Sequence, residues 1–148
     1  MLRLSRLADY AVVLLHQIAS EPDLCSSREL SEQTGIPRPT VVKVLKDLSR
    51  HGLLRSVRGV HGGYRLALPA DEMSILSVIE AMDGPMSLTA CAQNNGPACD
   101  HEGHCQIREP WRRINRAIAE TLGRLCLADM ASLKRVEARL ALPYEQQL

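Results

Sequence analysis

The sequence predicts a mainly α-helical fold: a winged helix-turn-helix DNA-binding domain in residues 1–70, then a region, 71–148, built around a long C-terminal dimerisation helix. Three observations lead there. Apolar residues recur at helical spacing through the first fifty positions, cut into three segments by capping and glycine signals. Two short strand-like runs then flank a glycine-rich turn. A long stripe of three-and-four spaced apolar residues follows a cysteine-bearing segment near the end.

The first helix runs from about Ser5 to Ser20, with Leu7, Ala11, Leu14, Leu15 and Ile18 on one face; Glu21-Pro22-Asp23 stops it. Ser26 and Glu29 form a capping box for a short helix carrying Leu30, which Gly35 ends. Pro37 and Pro39 suit the start of a third helix, because proline has no N–H to leave unbonded there. That helix runs to about His51, with Val41, Val44, Leu45 and Leu48 inward and Gly52 closing it. Helix, tight turn and second helix make a helix-turn-helix. Leu53–Val57 and Tyr64–Leu68 read as strands around Arg58-Gly59-Val60-His61-Gly62-Gly63, a hairpin placed where a wing belongs.

Pro69 and Ala70 open a linker, and a fourth helix covers about Ser74 to Met82. Residues 89–105 show no periodicity and are rich in Gly, Asn and Cys; a loop of this length is usually functional or disordered. The long helix starts near Gln106, with Pro110 in its first turn, and continues to about Met130. Ile107, Trp111, Ile114, Ile118, Leu122 and Leu125 form its stripe. A second copy of the chain is the natural cover for it, although packing on the first and fourth helices would also serve. A short helix, Ser132–Leu140, ends the pattern.

Composition narrows the function. The chain has 148 residues and a net charge of +1. Residues 38–65 nevertheless hold Arg38, Lys43, Lys46, Arg50, Arg55, Arg58 and Arg65 against the single acid Asp47. Such a patch suits a polyphosphate partner, because each cation that meets a phosphate releases counterions; a solvated face with no partner would carry the same charges. With no Phe, one Trp and three Tyr, the aromatic platforms of a single-strand binder are missing. No apolar run reaches membrane-spanning length. The opening twenty residues are read as an amphipathic helix, since Asp9 and His16 interrupt what would otherwise be a signal-peptide core, and a cytoplasmic protein is expected.

Five cysteines in such a chain point to metal or redox chemistry more than to disulfides. Cys91, Cys99 and Cys105 share the loop, whereas Cys25 and Cys126 lie in helix-like surroundings and are taken as packing residues. Clustered thiolates bind iron–sulfur clusters or zinc. Three need a fourth ligand, and His101, His104 and Asp9 are the candidates. Spacing leaves a cluster, a zinc site of three cysteines and one histidine, and free thiol chemistry all open. An enzyme is not expected, because no activated nucleophile with a pocket is visible.

The start Leu4-Ser5-Arg6-Leu7-Ala8-Asp9-Tyr10-Ala11, the segment Ile36–Leu53, the wing Val57-Arg58-Gly59-Val60-His61-Gly62-Gly63-Tyr64-Arg65-Leu66 and the three-cysteine loop before a long helix together resemble the IscR/NsrR-type winged-helix regulators, the Rrf-two family. The resemblance covers about residues 1–135, and the shared Met1–Ser5 start and Asp9–Leu15 block resemble the branch that regulates the SUF iron–sulfur assembly system. It implies a homodimer on a pseudo-palindromic double-stranded operator, repressing iron–sulfur assembly genes in response to a cluster held by Cys91, Cys99 and Cys105. The histidine that IscR-like members place three residues after the last cysteine is Arg108 here, so that ligand is missing. NsrR-like members use an aspartate of the first helix, which matches Asp9; His104 and then His101 stand behind it. A 2Fe–2S cluster is favoured over 4Fe–4S. The alternatives are a nitric-oxide- or redox-responsive member of the family and a zinc-stabilised constitutive binder.

For DNA, the start of the third helix is expected in the major groove, with Arg38, Pro39, Thr40 and Lys43 facing outward and Arg38 placed for guanine edges. Lys43 and Lys46 suit phosphates. Arg58 matches a family residue that enters the minor groove, and His61, Gly62 and Gly63 complete the wing contact.

Overall fold

The computed structural model describes residues 3–89 and 105–141. In order, its elements are α1 (Arg6–Ser20), α2 (Ser27–Thr34), α3 (Arg38–Arg50), β1 (Leu54–Val57), β2 (Gly63–Leu66), α4 (Ile75–Asp83), α5 (Arg108–Arg124), a 3₁₀ turn (Leu127–Ala131) and α6 (Leu133–Ala141).

The core forms around α1. Its stripe of Ala8, Ala11, Leu14, Leu15 and Ile18 is buried, and α2, α3, α4, β2 and the 3₁₀ turn all pack on it. Ser5 caps α1 by accepting from the Ala8 N–H at 3.0 Å, while the Ser5 N–H donates to Asp83 at 3.1 Å, fastening the start of α1 to the end of α4. The expected box at α2 is complete: the Glu29 N–H donates to Ser26 Oγ at 3.2 Å and the Ser26 N–H to the Glu29 carboxylate at 2.8 Å. A serine cap contributes about 1 kcal/mol. Gly35 ends α2 at φ 71°, a left-handed conformation that turns the chain into α3. No side chain caps α3; the Pro37 carbonyl closes its first turn by accepting from the N–H groups of Thr40 (2.9 Å) and Val41 (3.0 Å). The inner face of Val41, Val44, Leu45 and Leu48 is fully buried, each large side chain contributing roughly 2 kcal/mol relative to exposure.

β1 and β2 pair antiparallel, with Leu54 opposite Leu66 and Arg55 opposite Arg65. Both strands are shorter than the sequence pattern suggests: Leu53 lies before β1, and Ala67 and Leu68 lie beyond β2. Cys25 adds one rung on the other side of β2. Its N–H donates to the Tyr64 carbonyl at 3.1 Å and its carbonyl accepts from the Tyr64 N–H at 2.9 Å. Gly63 permits this approach, since a Cβ there would lie 2.8 Å from the Cys25 carbonyl oxygen.

The long helix departs from expectation. It stops at Arg124 rather than continuing to Met130. Leu125 turns extended, and residues 125–128 run back along the segment before α4: the Ile75 N–H donates to Leu125 O (2.8 Å), the Leu127 N–H to Met73 O (2.8 Å) and the Ala128 N–H to Ala70 O (3.0 Å). Backbone bonds to a distant segment replace the helical ones, and Leu125, Cys126 and Leu127 become buried. Cys25 and Cys126 are therefore buried packing residues, as expected, but both sit in isolated β-bridges and not in helices. No residue of α5 itself is buried, and Ile107 and Ile114 are exposed. Among the described residues no helix is long and apolar enough to cross a membrane.

Candidate nucleic-acid interface and cysteine loop

Burial of one face of α3 fixes what the other presents. With Val41, Val44, Leu45 and Leu48 inward, Arg38, Pro39, Val42, Lys43 and Lys46 are exposed. Thr40 is half-buried, so it faces outward less than the sequence suggests. The helix's own acid, Asp47, pairs with Arg50 at 3.2 Å and leaves the leading turns free of negative charge.

The hairpin extends this surface. Arg58 and His61 are exposed beside Val60, which is 97% exposed at the tip. Arg55 and Arg65 stand directly opposite one another across the strands, both exposed. Like charges in that position destabilise a hairpin unless an anion meets them. Among the described residues none of Arg38, Lys43, Lys46, Arg55, Arg58 and Arg65 pairs with a carboxylate. The result is an uncompensated cationic face running from α3 to the wing. Gly62 and Gly63 have internal reasons to be glycine. A Cβ on Gly62 would strike the Val57 carbonyl, and Gly63 is buried against Cys25.

The roots of the cysteine loop are well defined. On the upstream side, Asn115 of α5 accepts from the Leu88 N–H at 3.0 Å and donates to the Met86 carbonyl at 3.3 Å. Glu80 of α4 accepts from the Met86 N–H at 3.2 Å. On the downstream side Cys105 is a half-buried free thiol that leads into α5, whose first residue is the half-buried Arg108. Cys91, Cys99, His101 and His104 lie outside the described residues. Asp9 is exposed in the first turn of α1, where a carboxylate also complements the helix dipole. Among the described residues no three His, Cys, Asp or Glu side chains converge to hold a metal. Of the three loop cysteines the described residues include Cys105, a free and partly accessible thiol of the type that binds a soft metal or cluster. Burial, then the carboxylates of Glu21, Glu29 and Asp23, push the Cys25 thiol above its ordinary value.

Two features escape sequence reasoning. Val42 is an exposed apolar residue between cations, and the only signal for it was its place outside the inner-face spacing. Asp129 is a carboxylate 1% exposed. It accepts from the Cys126 N–H and thiol, both at 3.0 Å, and pairs with Arg139 at 3.4 Å and Arg135 at 3.7 Å, both on α6. Burial alone would raise its pKa; the Cys126 hydrogen bonds and the two guanidiniums outweigh that and hold it below the ordinary value. Periodicity gives no warning of a buried acid.

Residues 4–133 match the Rrf2 family, described as an iron-dependent transcriptional regulator. Among solved structures, the chain is similar to CymR (YrzC), described as the global cysteine regulator of B. subtilis, at 24% identity and a TM-score of 0.71, over 88% of this chain and 97% of that one. It is similar to IscR of T. potens at 23% identity and a TM-score of 0.66, over 99% and 92% of the two chains. Staphylococcus aureus CymR is 26% identical, with a TM-score of 0.61 over 83% and 93%.

Proposed function

The chain belongs to the Rrf2 family of transcriptional regulators, and from that premise we propose that it is an iron–sulfur-cluster-sensing regulator that binds a pseudo-palindromic operator as a homodimer and represses iron–sulfur assembly genes, those of the SUF system in particular. The observation that carries the DNA-binding part is the uncompensated cationic face from Arg38 on α3 to Arg58 on the wing. In this reading α3 enters the major groove, Arg38 reaches guanine edges, Lys43 and Lys46 hold phosphates, and Arg58 and His61 follow the adjacent minor groove. The part of the α5 stripe left accessible, Ile114 with the half-buried Trp111 and Ile118, is the dimer seam. The protein acts in the cytoplasm, where thiols stay reduced.

Cys91, Cys99 and Cys105 would hold the cluster, 2Fe–2S by preference, with Asp9 as fourth ligand and His104 or His101 as substitutes. When bound, such a cluster supplies a cross-link sensitive to iron supply and oxidants. Asn115 and Glu80 keep the upstream root of the loop against α5 and α4, so cluster gain or loss would be passed to α5, the helix of the proposed seam. A second reading, a redox-responsive regulator without a cluster, is favoured by the free thiol of Cys105.

Anaerobic purification with iron and sulfide assays, followed by operator titration of loaded and stripped protein, tests both. A brown protein whose loaded and stripped forms differ roughly tenfold in affinity, a coupling of about 1.4 kcal/mol, supports sensing. A colourless protein that contains zinc and binds constitutively overturns it. A colourless, metal-free protein whose DNA affinity changes with thiol oxidation favours the second reading.

A further inference from the structure

We propose that Val42 reads thymine methyl groups in the operator, and that α3 therefore recognises guanine and thymine but neither adenine nor cytosine directly. The proposal rests on the DNA-binding reading above and goes on to name its sequence chemistry.

The inventory of the outward face carries it. In the major groove adenine is read by a side-chain amide and the cytosine amino group by a carboxylate; guanine is read by arginine or lysine, and the thymine methyl by an apolar contact. Arg38, Pro39, Val42, Lys43 and Lys46 are the exposed residues of the leading turns. None is an amide or an acid, and Thr40, whose hydroxyl could meet several bases, is half-buried on the far side of the helix from Val42. The acid of this helix, Asp47, is half-buried and engaged by Arg50. Only the guanine and thymine readers remain.

Val42 lies midway along that face, toward one flank. It is 43% exposed although it belongs to a helix whose inner valines and leucines are fully buried, so it contributes little to the core. Arg38 lies one turn before it and Lys46 one turn after, on the same side of the helix. Cations that draw the helix onto a duplex would press the isopropyl group against base edges. There it meets either a methyl, which gains from leaving water with it, or a bare polar edge, which does not. Thymine thus acquires a preference with no hydrogen bond made.

The test uses the full-length protein and duplexes enriched by it from a randomised pool. Each thymine of an enriched half-site is replaced in turn by uracil, which removes the methyl and leaves the pairing edge intact. One thymine per half-site should prove sensitive, with about a fourfold loss of affinity for one half-site and about fifteenfold when both are changed, the worth of one buried methyl at each. In Val42→Ser, which has no methyl to offer, the same replacements should cost less than twofold, while the melting temperature shifts by only a few degrees, because the residue is 43% exposed. Uracil at any position without effect, on a site that still depends on guanine, overturns the role of Val42 and leaves DNA binding standing. Failure to enrich any sequence, or affinity insensitive to salt, overturns the DNA-binding reading itself and the proposal with it.

Discussion

Residues 3–70 and residues 105–141 differ in how they satisfy their apolar faces. In the first region α1 and α3 each have a buried stripe and α2 buries Leu30, and the cores of α1 and α3 interlock at side chains with no exposure, Leu14, Leu15, Leu45 and Leu48 among them. In the second, α5 has as pronounced an apolar stripe and buries no residue. What holds the second region is a small apolar cluster of Leu122, Leu125 and Val136 on Ile75 and Ile79, with Leu127 in the main core, reinforced by the backbone bridge between residues 73–75 and 125–127 and by the Asp129 node that ties α6 to the 3₁₀ turn. One region is complete within a single chain. The other has its surface left open for the second copy proposed above.

The contrast can be tested at three places, from the largest effect on folding to the smallest. Leu45→Ala removes a fully buried side chain from the complete region and should cost about 2–5 kcal/mol in denaturant unfolding. A cost under 1 kcal/mol would mean that α3 is less firmly seated than its burial indicates.

Asp129→Ala should cost about 1–3 kcal/mol, because the buried Cys126 N–H loses its acceptor. This difference depends on pH in one direction. The folded carboxyl titrates below its ordinary value of 3.8, so its contribution is complete above that pH and is lost as pH falls through the lower folded value. Melting curves of variant and wild type should therefore be well separated at neutral pH and converge in acid. Curves equally separated throughout would show that the node acts by packing alone.

Ile114→Asp lies at the other extreme. Ile114 is 45% exposed, and its replacement should change the stability of a single chain by less than about 0.5 kcal/mol. The proposed dimer, by contrast, should dissociate in sedimentation experiments. An unchanged dimer would remove α5 as the seam.

Legibility in the sequence follows the same division. In the first region local signals and tertiary structure agree: Ser26 with Glu29 starts α2, Gly35 ends it, and the valine and leucine spacing of α3 is the spacing that is buried. In the second they conflict. Leu122 and Leu125 continue the helical rhythm across Gly123 and Arg124, a local stop signal that the apolar spacing masks, and pairing with Met73 and Ile75 pulls residues 125–127 out of the helix. Long-range backbone pairing leaves no periodic trace, and for the same reason Cys25 and Cys126 looked helical. The basic surface was legible as a charge total. The facing of Arg55 and Arg65 was not, because register is set by the fold. The candidate ligands were legible as residue types, and of these the described residues include Cys105 and Asp9.

The rung that Cys25 makes with Tyr64, packed tight by Gly63, has a mechanical consequence. It stitches the wing to the chain between α1 and α2, so helix and hairpin form one stiff fork whose prongs keep a fixed gauge. In the dimer proposed above, a regulatory signal from the cysteine loop would therefore act by carrying each fork bodily, altering the distance and lean of two tools against the duplex.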